Sequence, residues 1–192
     1  MMTNKIAIIV GNGTSRNSVD LNDIVGEGDI YGCNALHRDF DKFDYLFAID
    51  DIMIRELEQL EDPRVIIPPQ DERWESAEYN PRRRRGNAGM VAMDYAIRHG
   101  NDTLYMLGFD FILEGSISVD NIYKDTHGYG LETHAMASDN YYRIQYLEWF
   151  MGKNMNTNFI FVIPDDAVTK EIESENVWAM DISTFQQKLL ES

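Results

Sequence analysis

The chain has one cysteine, Cys33, in 192 residues. A single thiol forms no internal disulfide and cannot supply a cysteine-built zinc cluster, which fits a reducing compartment, so a cytoplasmic location is expected. Basic residues are few: 17 Lys and Arg stand against 33 Asp and Glu, for a net charge of -16. A surface of that sign repels polyanions, and this argues against a broad nucleic-acid-binding face. No apolar run approaches the roughly 20 residues that a membrane-spanning helix needs, so no span is expected. Met1 to Val10 carries one Lys and a short apolar run with no small-residue cleavage site. It reads as a first strand rather than a signal peptide. There are no repeats, and the one biased tract is Arg82-Arg83-Arg84-Arg85.

What is present is a globular composition, 44% hydrophobic, of a length that suits one domain over residues 1–192. Strands are expected at Lys5–Val10, Asp29–Cys33, Phe43–Ile49, Arg64–Ile67, Thr103–Leu107 and Asn158–Ile163, the last clear strand. Asp20–Val25 reads as a short helix or turn. Helices are expected at Asp51–Leu60, capped by Asp50 or Asp51, and at Asn87–His99, stopped by Gly100. Two more follow, Ser138–Phe150 with Ser138 or Asp139 as cap, and Ile182–Leu190. Gln70–Arg85 is polar, holds Pro81 and reads as a long functional surface loop. Ser116–Met136 has no sustained period and reads as a lid, within an insertion at about 111–137. Near-continuous apolar strands alternating with helices imply an α/β, Rossmann-like fold, with a mostly parallel sheet covered by helices on both faces.

In open parallel sheets, ligands bind beyond the carboxyl ends of the strands. The first strand ends in Gly11-Asn12-Gly13-Thr14-Ser15. Two glycines permit a tight turn and a close backbone approach, and the amides with the Asn12 and Ser15 side chains suit a phosphate or a base. Position 16 is Arg, so the dinucleotide fingerprint is incomplete, and the Lys-Ser/Thr of a P-loop is missing. The second strand ends at Asn34, whose amide both donates and accepts, as reading a base edge or sugar hydroxyl requires; a turn cap is the ordinary alternative. Asp50, Asp51 and Asp110 also fall at strand ends. They suit a magnesium ion shared with substrate phosphates, or plain capping. His127 and His134 lie in the lid-like stretch, where a histidine titrating near neutrality can act as general base. The arginine run in so acidic a chain suits an anionic partner or pairing with nearby acids.

In order, these motifs resemble the bacterial sialyltransferases of glycosyltransferase family 42. The likeness is carried by IAIIVGNGTSRNSVDL, by the strand end Cys33-Asn34, by Arg85-Gly86-Asn87-Ala88-Gly89 with its helix to Gly100 and then LYMLGFDF, and by Thr133-His134 followed by Asp139 and a helix. It covers about two thirds of the chain. The resemblance implies inverting transfer of a sugar from a CMP-linked donor to an acceptor hydroxyl, with no required metal and no cofactor beyond the nucleotide sugar. Carried over by position, Gly11, Asn12, Gly13, Ser15, Asn34 and Asp110 belong to the nucleotide site. Ala88 and Gly89 line the donor phosphate, Arg85 sits beside the reacting centre, and His134 is the base. Ala88 stands where the family has serine. The family's lid tyrosines have no match after Phe111, with Tyr123 or Tyr129 as substitutes. The shorter lid admits a larger acceptor, and an anionic one suits the arginine run. A homo-oligomer is compatible with the sequence. A weaker similarity links the GNG start, the Gly-x-Asp strand end and Phe47-Ala48-Ile49-Asp50 to pterin pyrophosphokinase-like proteins. That similarity keeps open a magnesium-dependent nucleotidyl or pyrophosphoryl transferase, and the departures keep open a non-catalytic nucleotide-binding module.

Overall fold

A computed structural model describes residues 5–73, 87–116, 121–130 and 137–191. Its centre is a seven-stranded parallel sheet in the order β4-β3-β2-β1-β5-β6-β7. The strands are β1 (Ile6–Val10), β2 (Asp29–Cys33), β3 (Tyr45–Phe47), β4 (Val65–Ile66), β5 (Thr103–Leu107), β6 (Asn158–Ile163) and β7 (Val177–Asp181). The helices are α1 (Asp51–Glu58), α2 (Gln70–Arg73), α3 (Ala88–Arg98), α4 (Ala137–Lys153) and α5 (Ile182–Leu190). This is the expected Rossmann-like α/β arrangement.

The strands are apolar along their length because both faces are covered. Ala7, Ile9, Leu104, Met106, Phe159 and Phe161 point to one face, where Met90, Met93 and Ala96 of α3 and Leu147, Phe150 and Met151 of α4 complete a core. The alternate residues Ile8, Val10, Tyr105, Leu107 and Val162 face the other side. There they meet Val19, Ile24, Leu36, Met53 and Leu57, with Ile182 and Phe185 of α5. Successive side chains of a strand point to opposite faces, so a doubly covered strand has no polar positions to spare.

Several elements differ in extent from the sequence reading. The third strand is three residues rather than seven, and Phe43 and Ile49 are buried beside it instead of pairing. Two residues, Val65 and Ile66, form the fourth. The stretch read as a loop from Gln70 opens with α2, where Glu72 Oε2 accepts from Tyr95 Oη at 2.9 Å and Arg98 Nη1 at 3.1 Å of α3; the rest of that stretch lies outside the described residues. Helix α4 starts at Ala137, so Ser138 and Asp139 are inside its first turn rather than at its cap. It runs on to Lys153, beyond which Asn154 Nδ2 bonds Phe150 O at 2.8 Å. Most substantially, Asn158–Ile163 is not the last strand. β7 pairs with β6 along its full length. Its pattern is weak because it is an edge strand with Trp178 half exposed, and it passes into α5 with no intervening residue.

From β1 the chain steps outward through β2, β3 and β4, then returns by α3 to place β5 on the other side of β1. The β1/β5 boundary is therefore the topological switch point, where loops leave the sheet in opposite directions. The core beneath it is tight. Phe159→Ala, at a fully buried position, is expected to cost about 3–5 kcal/mol, whereas Leu190→Ala, at a side chain 89% exposed, stays within about 0.5 kcal/mol. Urea unfolding of the two variants checks the contrast.

Candidate functional site

At the switch point the loops after β1 and β5 are locked together. Gly11 N donates to Leu107 O at 2.8 Å and Gly13 N to Gly108 O at 2.9 Å, which extends the β1–β5 ladder past both strands. A Cβ on Gly11 would stand 2.8 Å from Gly108 O, and one on Gly13 would stand 2.5 Å from the Asp110 carboxyl carbon. Gly108 itself has φ +69. The close approach that these glycines permit here is between two loops. Asp110 finishes the lock. Its carboxylate accepts from Ser15 N at 2.9 Å, Thr14 Oγ1 at 3.3 Å and Ser15 Oγ.

Asn12 and Arg16 hold the next layer. Asn12 is buried, and its Nδ2 donates to Cys33 O at 3.0 Å and Tyr129 Oη at 3.3 Å. Arg16, 3% exposed, donates from Nη1 to Asn12 Oδ1 at 3.1 Å and to Gly11 O at 3.3 Å. Its Nη2 reaches Asp39 Oδ2 at 2.7 Å and Tyr123 Oη at 3.1 Å. Tyr123 Oη also bonds Asp39. Ile122 N donates to Asn12 O at 2.9 Å, and Gly13 bridges Asn121. The described part of the 111–137 insertion is thus fastened across the first loop. The sequence reading noticed Arg16 only as a break in a glycine fingerprint; no spacing rule marks it as a buried strut.

Beside this layer lies a group of polar side chains at the ends of β2 and β3. Asn34 adopts φ 51, a left-handed backbone that asparagine tolerates better than most residues, and its buried Oδ1 has no hydrogen-bond partner. Tyr129 Oη accepts from the Ala35 backbone N–H, and burial pushes its pKa up to about 12. Asp50 stands at the N-cap position of α1, yet its side chain makes no cap bond. The residue is exposed to solvent. Partial desolvation still raises its pKa, the charge of Arg143 of α4 opposes that, and Asp51 adds to it. The charge of Asp50 also pushes the Tyr129 pKa up.

Of the residues singled out in sequence, Gly11, Asn12, Gly13, Ser15, Asn34 and Asp110 fall together at the carboxyl edge. The Gly11, Gly13 and Ser15 amides and the Ser15 hydroxyl are engaged within the protein there. Ala88 and Gly89 open α3 behind its Asn87 cap, and a Cβ on Gly89 would meet the Phe109 ring at 2.5 Å. Arg82 to Arg85 and His134 lie outside the described residues. His127 is exposed on the α1 side, where Arg38 Nη2 donates to its carbonyl at 3.0 Å and where it lines an open depression with Ile52, Arg55, Glu56 and Gln59. Among the described residues, no three metal-ligating side chains cluster, and no helix is long and apolar enough to cross a membrane.

No protein-family model matches the chain, and no curated protein matches its sequence. Solved structures with a similar arrangement are those of the sialyltransferase CstII. A variant of it in complex with CMP is 13% identical, with 98% of this chain and 99% of that chain covered and a TM-score of 0.46. CstII from Campylobacter jejuni in complex with the substrate analogue cytidine-5'-monophosphate is likewise 13% identical, with 95% and 96% covered and a TM-score of 0.47. The fold assignment stands on this chain's own strand order and register.

Two outcomes are expected from this geometry. Arg16→Met removes four hydrogen bonds from a buried cation's place, which costs roughly 1–3 kcal/mol and frees the 121–130 segment; faster exchange of the Ile122 and Tyr123 amides reads this directly. Asp50→Asn works in the other sense. A carboxyl whose folded pKa is raised destabilises the fold once pH climbs past its unfolded value, and the penalty is complete above the folded pKa. The variant therefore melts higher than the wild type at pH 7, and the difference disappears below the unfolded aspartate pKa.

Proposed function

We propose that the chain is a glycosyltransferase that takes a sugar from a CMP-linked donor, bound at the β1/β5 switch point, and passes it with inversion to an acceptor hydroxyl. The observation that carries this reading is Asn34. It sits at the end of β2 in a left-handed backbone, with a buried amide oxygen that lacks a partner. A buried polar atom left unpaired costs free energy, and such costs concentrate where a ligand completes the bonding. An amide that accepts with one atom and donates with another suits the edge of a cytosine or a sugar hydroxyl. The sequence likeness at Gly11–Ser15, Cys33-Asn34 and Arg85–Gly89 supplies the CMP-sugar class. In it, His134 deprotonates the acceptor and the start of α3, at Ala88 and Gly89, offers backbone amides to the departing phosphate.

The magnesium-dependent alternative draws on Asp50, Asp51 and Asp110. Asp110 already accepts from three donors of the first loop, so a cation there would compete with them for its oxygens.

The test is calorimetric titration with CMP, UMP, AMP and GMP, in magnesium and in EDTA. Selective CMP binding that EDTA leaves unchanged supports the proposal; magnesium-dependent binding of another nucleotide, or no binding, sinks it. Asn34→Gly keeps the left-handed backbone at no steric cost and deletes the amide. It is expected to fold with undiminished stability and to lose at least tenfold in CMP affinity, about 1.4 kcal/mol. His134→Ala should abolish transfer and leave CMP binding intact.

A further inference from the structure

We propose that the open depression between α1 and the 121–130 segment is an anion-binding subsite, and that it takes a carboxylate- or phosphate-bearing sugar unit of the acceptor. The inference rests on the glycosyltransferase reading above and gives the acceptor a place that neither the strand-end motifs nor the family likeness supplies.

The depression has a volume of about 370 Å³ and is lined by Ile52, Arg55 and Glu56 of α1, by Gln59 just past its end, and by His127. That is the lower end of the size range of ligand pockets. Positions 52, 55, 56 and 59 recur at the spacing that puts side chains on one helix face. The Glu56 carboxylate is already engaged. Its Oε1 accepts from Arg38 Nε at 2.8 Å and lies 3.1 Å from His37 Nε2, and its Oε2 accepts from Arg38 Nη2 at 2.6 Å. Among the described residues, the side chains of Arg55, Gln59 and His127 have no hydrogen bond or ion pair. The lining therefore presents a guanidinium, an amide and an imidazole around a carboxylate whose charge Arg38 matches. In a chain of net charge -16, an unpaired arginine beside a ligand-sized hollow suits an anion. The guanidinium fork fits carboxylate and phosphate oxygens alike. The Gln59 amide suits sugar hydroxyls, and Ile52, 37% exposed, offers apolar surface to the C–H face of a sugar ring.

The backbone at His127 is fixed while its ring is left bare. Tyr129 N donates to Thr126 O at 2.9 Å and Asp125 N to Tyr129 O at 3.1 Å, which closes a turn. Arg38 donates to Thr126 Oγ1 at 2.9 Å and to His127 O at 3.0 Å. Gly128, at φ +80, lies so close to α1 that a Cβ would stand 3.0 Å from Met53 Sδ and 3.3 Å from Ile52 Cγ2. The turn is thus seated on the helix and holds an imidazole over the depression, the preorganisation that lowers the cost of binding. Two residues along the same turn, Tyr129 Oη accepts from Asn12 Nδ2 and the Ala35 N–H. The segment therefore touches the switch-point site at Tyr129 and the depression at His127. An acceptor of several sugars would present its hydroxyl at the strand ends, with an acidic unit further along the chain held at Arg55.

The test is NMR titration of the isotope-labelled full chain with glucuronic acid, glucose 6-phosphate and glucose, each alone and with saturating CMP. One or both acidic sugars are expected to bind saturably and to shift the Gln59 side-chain amide and the His127 and Gly128 backbone amides, with CMP present or absent. Glucose, which lacks the charge, binds at least tenfold more weakly. Which acid binds separates a carboxylate ligand from a phosphate one. Arg55→Gln, at an exposed position, is expected to lower the acidic sugar's affinity at least tenfold and to leave CMP affinity unchanged. Arg55→Lys restores part of the loss, since it keeps the charge and loses the fork. Binding that shifts other residues instead, that CMP displaces, or that Arg55→Gln leaves unchanged overturns the subsite. CMP binding with neither acid bound also overturns it, and the donor reading stands. An acidic sugar bound at Arg55 in a chain that binds no CMP upholds the anion site, while the glycosyltransferase reading falls and the assignment to an acceptor falls with it.

Discussion

The interlock of the loops after β1 and β5 is the constraint on which the rest of the edge depends. It is made of backbone: two amides of the first loop reach carbonyls of the second, and glycines at 11, 13 and 108 leave room for that approach. Asp110 can then sit over Gly13 and gather Thr14 and Ser15. With the first loop fixed, Asn12 is aimed at Cys33 O, Arg16 turns inward beneath it, and the segment around Tyr123 has a surface to rest on. Each step uses the group before it as a partner. A side chain introduced at Gly13 therefore acts through the whole series rather than at one contact.

Charge is distributed with the same economy. In so acidic a chain, the described arginines near the site mostly neutralise particular carboxylates: Arg16 with Asp39 and Arg38 with Glu56. These pairs are partly sheltered from water, where an ion pair holds geometry better than it does at an open surface. They fix loops across the carboxyl edge of the sheet. Asp50 keeps its carboxylate away from the helix amides it is placed to cap, which is a cost to the fold and the kind that sites of binding or chemistry tolerate.

Much of the sheet was legible in sequence because buried parallel strands carry an unmistakable signal. IAIIV, TLYML and NFIFVI could hardly be anything else, and Asn87 with Gly100 marked both ends of α3. Legibility failed where burial is one-sided. β7 has exposed residues at its centre and no turn before α5, so neither apolar continuity nor a breaker marks it. The strand ends were located by their position in the fold, and the first loop meets the end of β2 where Asn12 Nδ2 donates to Cys33 O. The partners were not legible. Arg16 is an ordinary polar position of a turn, and only the tertiary path brings Asp39 and Tyr123 to it. Asp110 and Ser15 were read as facing a ligand, and the hydrogen bonds between them depend on a loop contact across 95 residues of chain.

The direct passage from β7 into α5 also bears on how the molecule keeps to itself. Asp181 ends the strand and stands at the N-cap position of the helix, so strand and helix share a joint without slack. The helix is anchored by Phe185 in the core and by Gln186 on Ser18 O. Sliding β7 by one residue along β6 would drag α5 out of its seat and turn Met180 outward. An outermost strand denied that freedom is a poor template for edge-to-edge growth between molecules, a hazard that other sheets counter with proline, bulges or a row of lysines. Here the guard is mechanical, and it asks nothing of the solvent-facing sequence.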